Sequence, residues 1–132
     1  MSTIFSKIIS GEIPCHKIAE DERYLAFFDI RPVRPGHTLV IPKKAVDYIF
    51  DMDDASLGGI MLFARPIAKA LQKIVPCRKV GIMVAGLEVP HAHVHLIPIN
   101  AVGDLNFSLA RAEEPAKLAA LAAQVREQLA QI

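Results

Sequence analysis

Two spacings of hydrophobic residues take turns along this chain, one helical and one alternating. Ile4, Phe5, Ile8 and Ile9 share one side of a short helix that Ser2 or Thr3 can cap and Ser10-Gly11 ends. Pro14 opens an extended stretch around His16 to Ala19, and Glu20-Asp21-Glu22 reads as a turn. Tyr24 to Ile30 follows as an aromatic-rich strand, so a hairpin is predicted here. Arg31-Pro32-Val33-Arg34-Pro35-Gly36 is a proline-stiffened connection into a strand from His37 to Ile41, closed by Pro42. Asp53 or Asp54 caps a long helix, about Ala55 to Ile74, with Leu57, Ile60, Met61, Ala64, Ala68, Leu71 and Val75 on its stripe. Pro66 removes one N–H donor inside it and is predicted to kink or split it.

Beyond that helix the alternating period returns. Lys79 to Ala85 is predicted as a strand, Gly86 to Pro90 as a turn, and Ala92 to Ile99 as a second strand. Gly103-Asp104 marks a turn, and Glu113-Glu114-Pro115 opens a last helix that runs to about residue 130, its carboxylates at the positive end. Hairpins with inserted helices indicate an α+β fold with a mainly antiparallel sheet. No repeat or linker interrupts the pattern, so residues 1–132 read as one domain, a core over 3–110 followed by the terminal helix.

Composition narrows the function classes. Fifteen Lys and Arg against 14 Asp and Glu leave a net charge of +1, which argues against a broad nucleic-acid or membrane surface. A hydrophobic fraction of 52% is slightly rich for a chain this short and makes a buried subunit interface plausible. Cys15 and Cys77 have no zinc-type spacing, and the start of the chain lacks a secretory pattern; a cytoplasmic protein with reduced thiols is expected.

The chemistry gathers in His91-Ala92-His93-Val94-His95, which uses three of the five histidines at a spacing of two. In a strand all three project to one face, and Ala92, Val94 and Leu96 back them on the other. His91 and His95 would then stand about 13 Å apart, too far to share one metal ion unless the strand bends. An anion with spread oxygens suits the row better, with one imidazole attacking phosphorus and its neighbours donating to the oxygens. His93, in the middle, is the expected nucleophile, provided its Nδ1–H is held by a carbonyl so that Nε2 is free. His37 could face the row from the adjacent strand. Asp29 could accept the two hydroxyls of a ribose or simply cap the proline-rich connection; Phe5, Ile8, Phe27, Ile30 and Leu39 could wall a flat apolar pocket.

His91-Ala-His93-Val-His95-Leu-Ile-Pro resembles the signature of the histidine triad (HIT) superfamily. Residues 4–14 (Ile-Phe-Ser-Lys-Ile-Ile-Ser-Gly-Glu-Ile-Pro), Phe28-Asp29-Ile30 and Pro35-Gly36-His37-Thr38-Leu39-Val40-Ile41-Pro42-Lys43-Lys44 extend the likeness to its Hint-like branch. The resemblance covers about residues 3–99. It implies a HIT-like fold with a five-stranded sheet, joined to that of a second subunit in a homodimer. It also implies purine nucleotide binding and cleavage at the α-phosphate through a nucleotidyl-histidine, with phosphoramidates as substrates and no cofactor or metal. On this likeness His93 is the nucleophile, His91 and His95 assist at the phosphate, and His37 completes the cluster. Asp29 would hold the ribose, with Phe5, Ile8, Phe27, Phe28, Ile30 and Leu39 around the base. The alternatives are a nucleotide-binding regulatory or interaction protein with little turnover, a dinucleoside polyphosphate hydrolase, or a metal site on the triad strand.

Three departures matter. The segment before the triad is shortened to Val84-Ala85-Gly86-Leu87-Glu88-Val89-Pro90, which puts Ala85 at the family's asparagine position. Gly86 and Glu88 then stand near the phosphate and leaving group, and the Glu88 charge would favour a cationic leaving amine. Thr3 and Ser6 occupy the positions where some bacterial relatives carry two zinc-binding cysteines, so that site is expected to be missing. His95 stands in place of the glutamine of related uridylyltransferases, which favours water as the final acceptor.

Overall fold

The computed structural model describes residues 2–131. Helix α1 (Ile4–Ser10) is followed by strands β1 (Lys17–Glu20), β2 (Tyr24–Phe28) and β3 (Thr38–Pro42). Helix α2 (Asp54–Ile74), strands β4 (Lys79–Met83) and β5 (Val94–Ile99), and helix α3 (Pro115–Ala130) complete the regular elements. The five strands form one antiparallel sheet in the order β1-β2-β3-β5-β4. The α+β architecture expected from the hydrophobic pattern is therefore present.

Alternation sorts the two faces. Phe27, Leu39, His95 and Met83 are partners in register across four strands, so their side chains share one face. There Leu25, Phe27, Leu39 and Ile41 pack with Phe5 of α1. Ala26, Phe28, Val40, Val94 and Leu96 point the other way, into the main core beneath α2 and α3. Helix α3 buries Leu118, Ala122 and Val125 in that core.

Local chemistry explains the helix ends. Thr3 and Ser6 form a reciprocal capping box at the start of α1, so the two positions expected to lack zinc ligands hold each other instead. Asp53 caps α2 through the Ser56 amide at 2.8 Å. Of the kink or split expected at Pro66, the split does not occur; the helix is continuous from Asp54 to Ile74. The carbonyl that loses its donor belongs to exposed Leu62, where water can serve it, while buried Ile60, Ala64, Ile67 and Leu71 hold both halves to the core. No helix among the described residues is long and apolar enough to cross a membrane.

Candidate active site

The triad is not one strand. β5 begins at Val94, so His91 and His93 precede it, in a segment whose backbone bonds are spent elsewhere. Pro90 has no N–H, the Ala92 amide donates to Val46 at 2.6 Å, and the His91 carbonyl is taken by a side chain. The three rings nevertheless gather on one face: Phe5 lies 5.8 Å from His91 and 5.1 Å from His93, and His93 lies 4.9 Å from His95. Ala92 and Val94 are buried on the opposite side, in the main core.

Each imidazole has a determinable proton. His93 Nδ1 lies 2.7 Å from the His91 carbonyl, which can only accept, so Nδ1 carries the hydrogen and Nε2 holds the lone pair. His91 Nε2 lies 2.7 Å from the Pro42 carbonyl, which leaves its buried Nδ1 a lone pair without a partner among the described residues. His37 Nδ1 accepts the Val33 amide at 3.1 Å, so its hydrogen sits on Nε2, 2.9 Å from His95 Nδ1. His95 therefore accepts at Nδ1 and carries its own hydrogen on Nε2.

Burial keeps the supporting rings neutral. His95 is pushed down to about 3, mainly by loss of solvent and then by neighbouring His37 and His93. His37 is also lowered by burial, opposed by the Asp29 carboxylate, and His91 is lowered by burial against the pull of the Pro42 carbonyl. The His95 Nε2 hydrogen, the one donor of the cluster not spent inside it, beside the His93 Nε2 lone pair suits an electron-poor phosphorus with an oxygen to be hydrogen-bonded.

Asp29 lies just past β2 and serves two neighbours. One oxygen caps the following connection through the Arg31 amide at 2.9 Å; the other lies 3.9 Å from His37 Nε2. Asp29, His37 and His95 bring three potential ligand atoms within 4.8 Å of one another. This donor set does not fit a cation, because His37 Nε2 carries a hydrogen and the His95 Nδ1 lone pair is spent on it.

The apolar residues divide. Phe5, Phe27 and Leu39 cluster together beside the histidines, with Ile8 packed against them. Phe28 requires a correction: strand alternation puts its side chain in the helix-covered core, away from this cluster. Ile30 is 62% exposed because the chain has left β2 by that point. Gly86 lines a cavity of about 450 Å³ together with His93, Ala92, Tyr48 and Phe50, whereas Glu88 is exposed and does not line it. Two participants escaped the sequence reading. The Val33 amide carried no signal, since every residue but proline has one. Phe107, whose ring centroid lies 4.8 Å from that of His95, sits in a short 3-10 helix, Phe107–Leu109, with no hydrophobic period to reveal it.

The α+β sheet thus carries a buried imidazole cluster beside a group of apolar side chains. Comparison with known proteins gives the family: the HIT domain profile matches residues 10–102, and the chain belongs to that family. It is 38% identical over 103 residues to the adenosine 5'-monophosphoramidase hnt1 of Schizosaccharomyces pombe, covering 74% of each chain. It is 40% identical over 100 residues to the adenosine 5'-monophosphoramidase HNT1 of Saccharomyces cerevisiae, covering 72% of this chain and 61% of that protein. A crystal structure of a Hit-like protein from Bartonella henselae superposes with a TM-score of 0.85 at 32% identity over 96% of both chains.

Proposed function

We propose that this protein is a metal-independent hydrolase of purine nucleoside phosphoramidates or related α-phosphate derivatives. The observation that carries the reading is the 2.7 Å bond from His93 Nδ1 to the His91 carbonyl, which leaves Nε2 as a free nucleophile. His93 Nε2 attacks the α-phosphorus, a phosphorus–nitrogen bond forms, and the bond to the leaving amine breaks. The amine departs with the electron pair and takes a proton from solvent. Water then attacks the nucleotidyl-histidine, releasing the nucleoside monophosphate, a proton and free His93. The hydrogen on His95 Nε2 serves as a fixed donor to a phosphate oxygen in both steps. Asp29 would accept ribose hydroxyls, with Phe5, Ile8, Phe27 and Leu39 beside the base. The phosphoramidase activity named for the two yeast relatives supports this substrate class.

A homodimer through β4 belongs to the same reading. Strand β4 ends the sheet, and its exposed Ile82 shares an apolar surface hollow with exposed Met61 and Leu62 of α2. Light scattering should give twice the chain mass; a monomer at micromolar concentration would remove this part.

The deciding experiment is incubation with an adenosine 5'-phosphoramidate, with AMP release followed and a rapidly quenched sample weighed intact. The nucleotidyl adduct should appear in the native protein, and His93→Ala should lose the adduct and at least about 10³-fold in rate. AMP binding with no release by the native protein would instead favour the regulatory binding protein.

A further inference from the structure

A hydrogen bond between two neutral imidazoles reads equally well in either direction. In one, His37 donates and His95 keeps its hydrogen on Nε2; in the other, His95 donates from Nδ1 and is left with a bare lone pair on Nε2. Only the first offers a donor to a phosphate oxygen. The Asp29 oxygen favours it, but at 3.9 Å it is too far from His37 Nε2 for a hydrogen bond. The group in bonding contact that breaks the tie is the Val33 amide, which can only donate and meets His37 Nδ1 at 3.1 Å.

We propose that the Arg31–Gly36 connection is a positioning element that sets the direction of this pair, with Val33 acting through its backbone N–H. The segment is held as such a role requires. Arg31 N–H is bonded to Asp29, the Pro32 carbonyl accepts the Arg111 amide at 3.2 Å, and Arg34 Nε reaches the Pro98 carbonyl at 2.7 Å. Gly36 turns the chain into β3 at φ 91°, packed so closely that a Cβ would lie 3.1 Å from Val75 and 3.2 Å from Pro98. Val33 itself is buried, which keeps water from competing for the amide.

The kinetic consequence rests on the hydrolase reading; the proton positions do not. The test is long-range ¹H–¹⁵N spectroscopy of ligand-free protein labelled in histidine and valine, together with steady-state kinetics. His37 should show a bare Nδ1 coupled through the hydrogen bond to the Val33 amide nitrogen, and His95 should show its hydrogen on Nε2. Val33→Ala keeps the N–H and should retain both signatures and kcat within about twofold. Val33→Pro removes the N–H; if folded, it should mix the tautomers of both rings and lower kcat about tenfold, with KM little changed. A hydrogen on His37 Nδ1 in the native protein overturns the proposal, as does a folded Val33→Pro with unchanged tautomers or kcat. Loss of the signatures in Val33→Ala would also overturn it, since packing would then set the direction. Should Val33→Pro fail to fold, the native spectrum and Val33→Ala still decide. Should no substrate be turned over at all, the spectra stand apart from that failure.

Discussion

Two connections flank the histidines, and they are built in opposite ways. Arg31–Gly36 is bonded to Asp29, Arg111, Pro98 and His37, with a glycine packed against three side chains. Val84–Pro90 also turns on a glycine of positive φ, Gly86 at 75°, yet nothing lies within 4 Å of where its Cβ would be, and Leu87 is 92% exposed. The difference teaches a division of labour. The amide that meets His37 Nδ1 sits in the pinned connection, whereas the open one leaves Gly86 unpacked and Leu87 in solvent.

The comparison breaks most easily at the two glycines. Gly36→Ala combines left-handed strain with overpacking and should cost on the order of 2–4 kcal/mol in urea unfolding. Gly86→Ala meets the strain alone and should cost only about 1 kcal/mol. Equal losses would mean that the connections do not differ in packing.

Acidification probes the pinned side next. His37, His91 and His95 titrate below the ordinary histidine value in the folded chain, His95 at about 3. Between about pH 6.5 and those lowered values the unfolded chain binds protons that the native state refuses. Stability is therefore full above about pH 6.5 and falls as pH drops, by up to about 1.4 kcal/mol per pH unit for each ring. Urea midpoints at pH 7.5 and 5 should differ accordingly; identical midpoints would contradict the neutral, buried cluster.

The smallest stability effect belongs to the open loop. Glu88→Gln removes an exposed charge and should change stability by less than about 0.5 kcal/mol. Its readout is selectivity: the ratio of kcat/KM for cationic over neutral leaving amines should fall a few-fold, more at low salt. An unchanged ratio would detach Glu88 from leaving-group choice.

Much of this was legible in the chain. Alternation through Phe27, Leu39 and His93–His95 declared a face, and Thr3, Asp53 and Gly11 declared helix ends, because such signals act over a few residues. Phe28 was misplaced because it was grouped with Phe27 although the two, adjacent in β2, point to opposite faces. That Pro66 leaves α2 unsplit could not be read locally, because a helix interruption is decided by the layer it packs on.

What the amino-acid order determined by itself is the set of imidazoles and their apolar neighbours Ala92, Val94 and Leu96. Which nitrogen of each ring carries its hydrogen was decided only by folding. That choice belongs to carbonyls and an amide of Pro42, His91 and Val33, backbone groups common to nearly every residue, and it takes the tertiary structure to aim them.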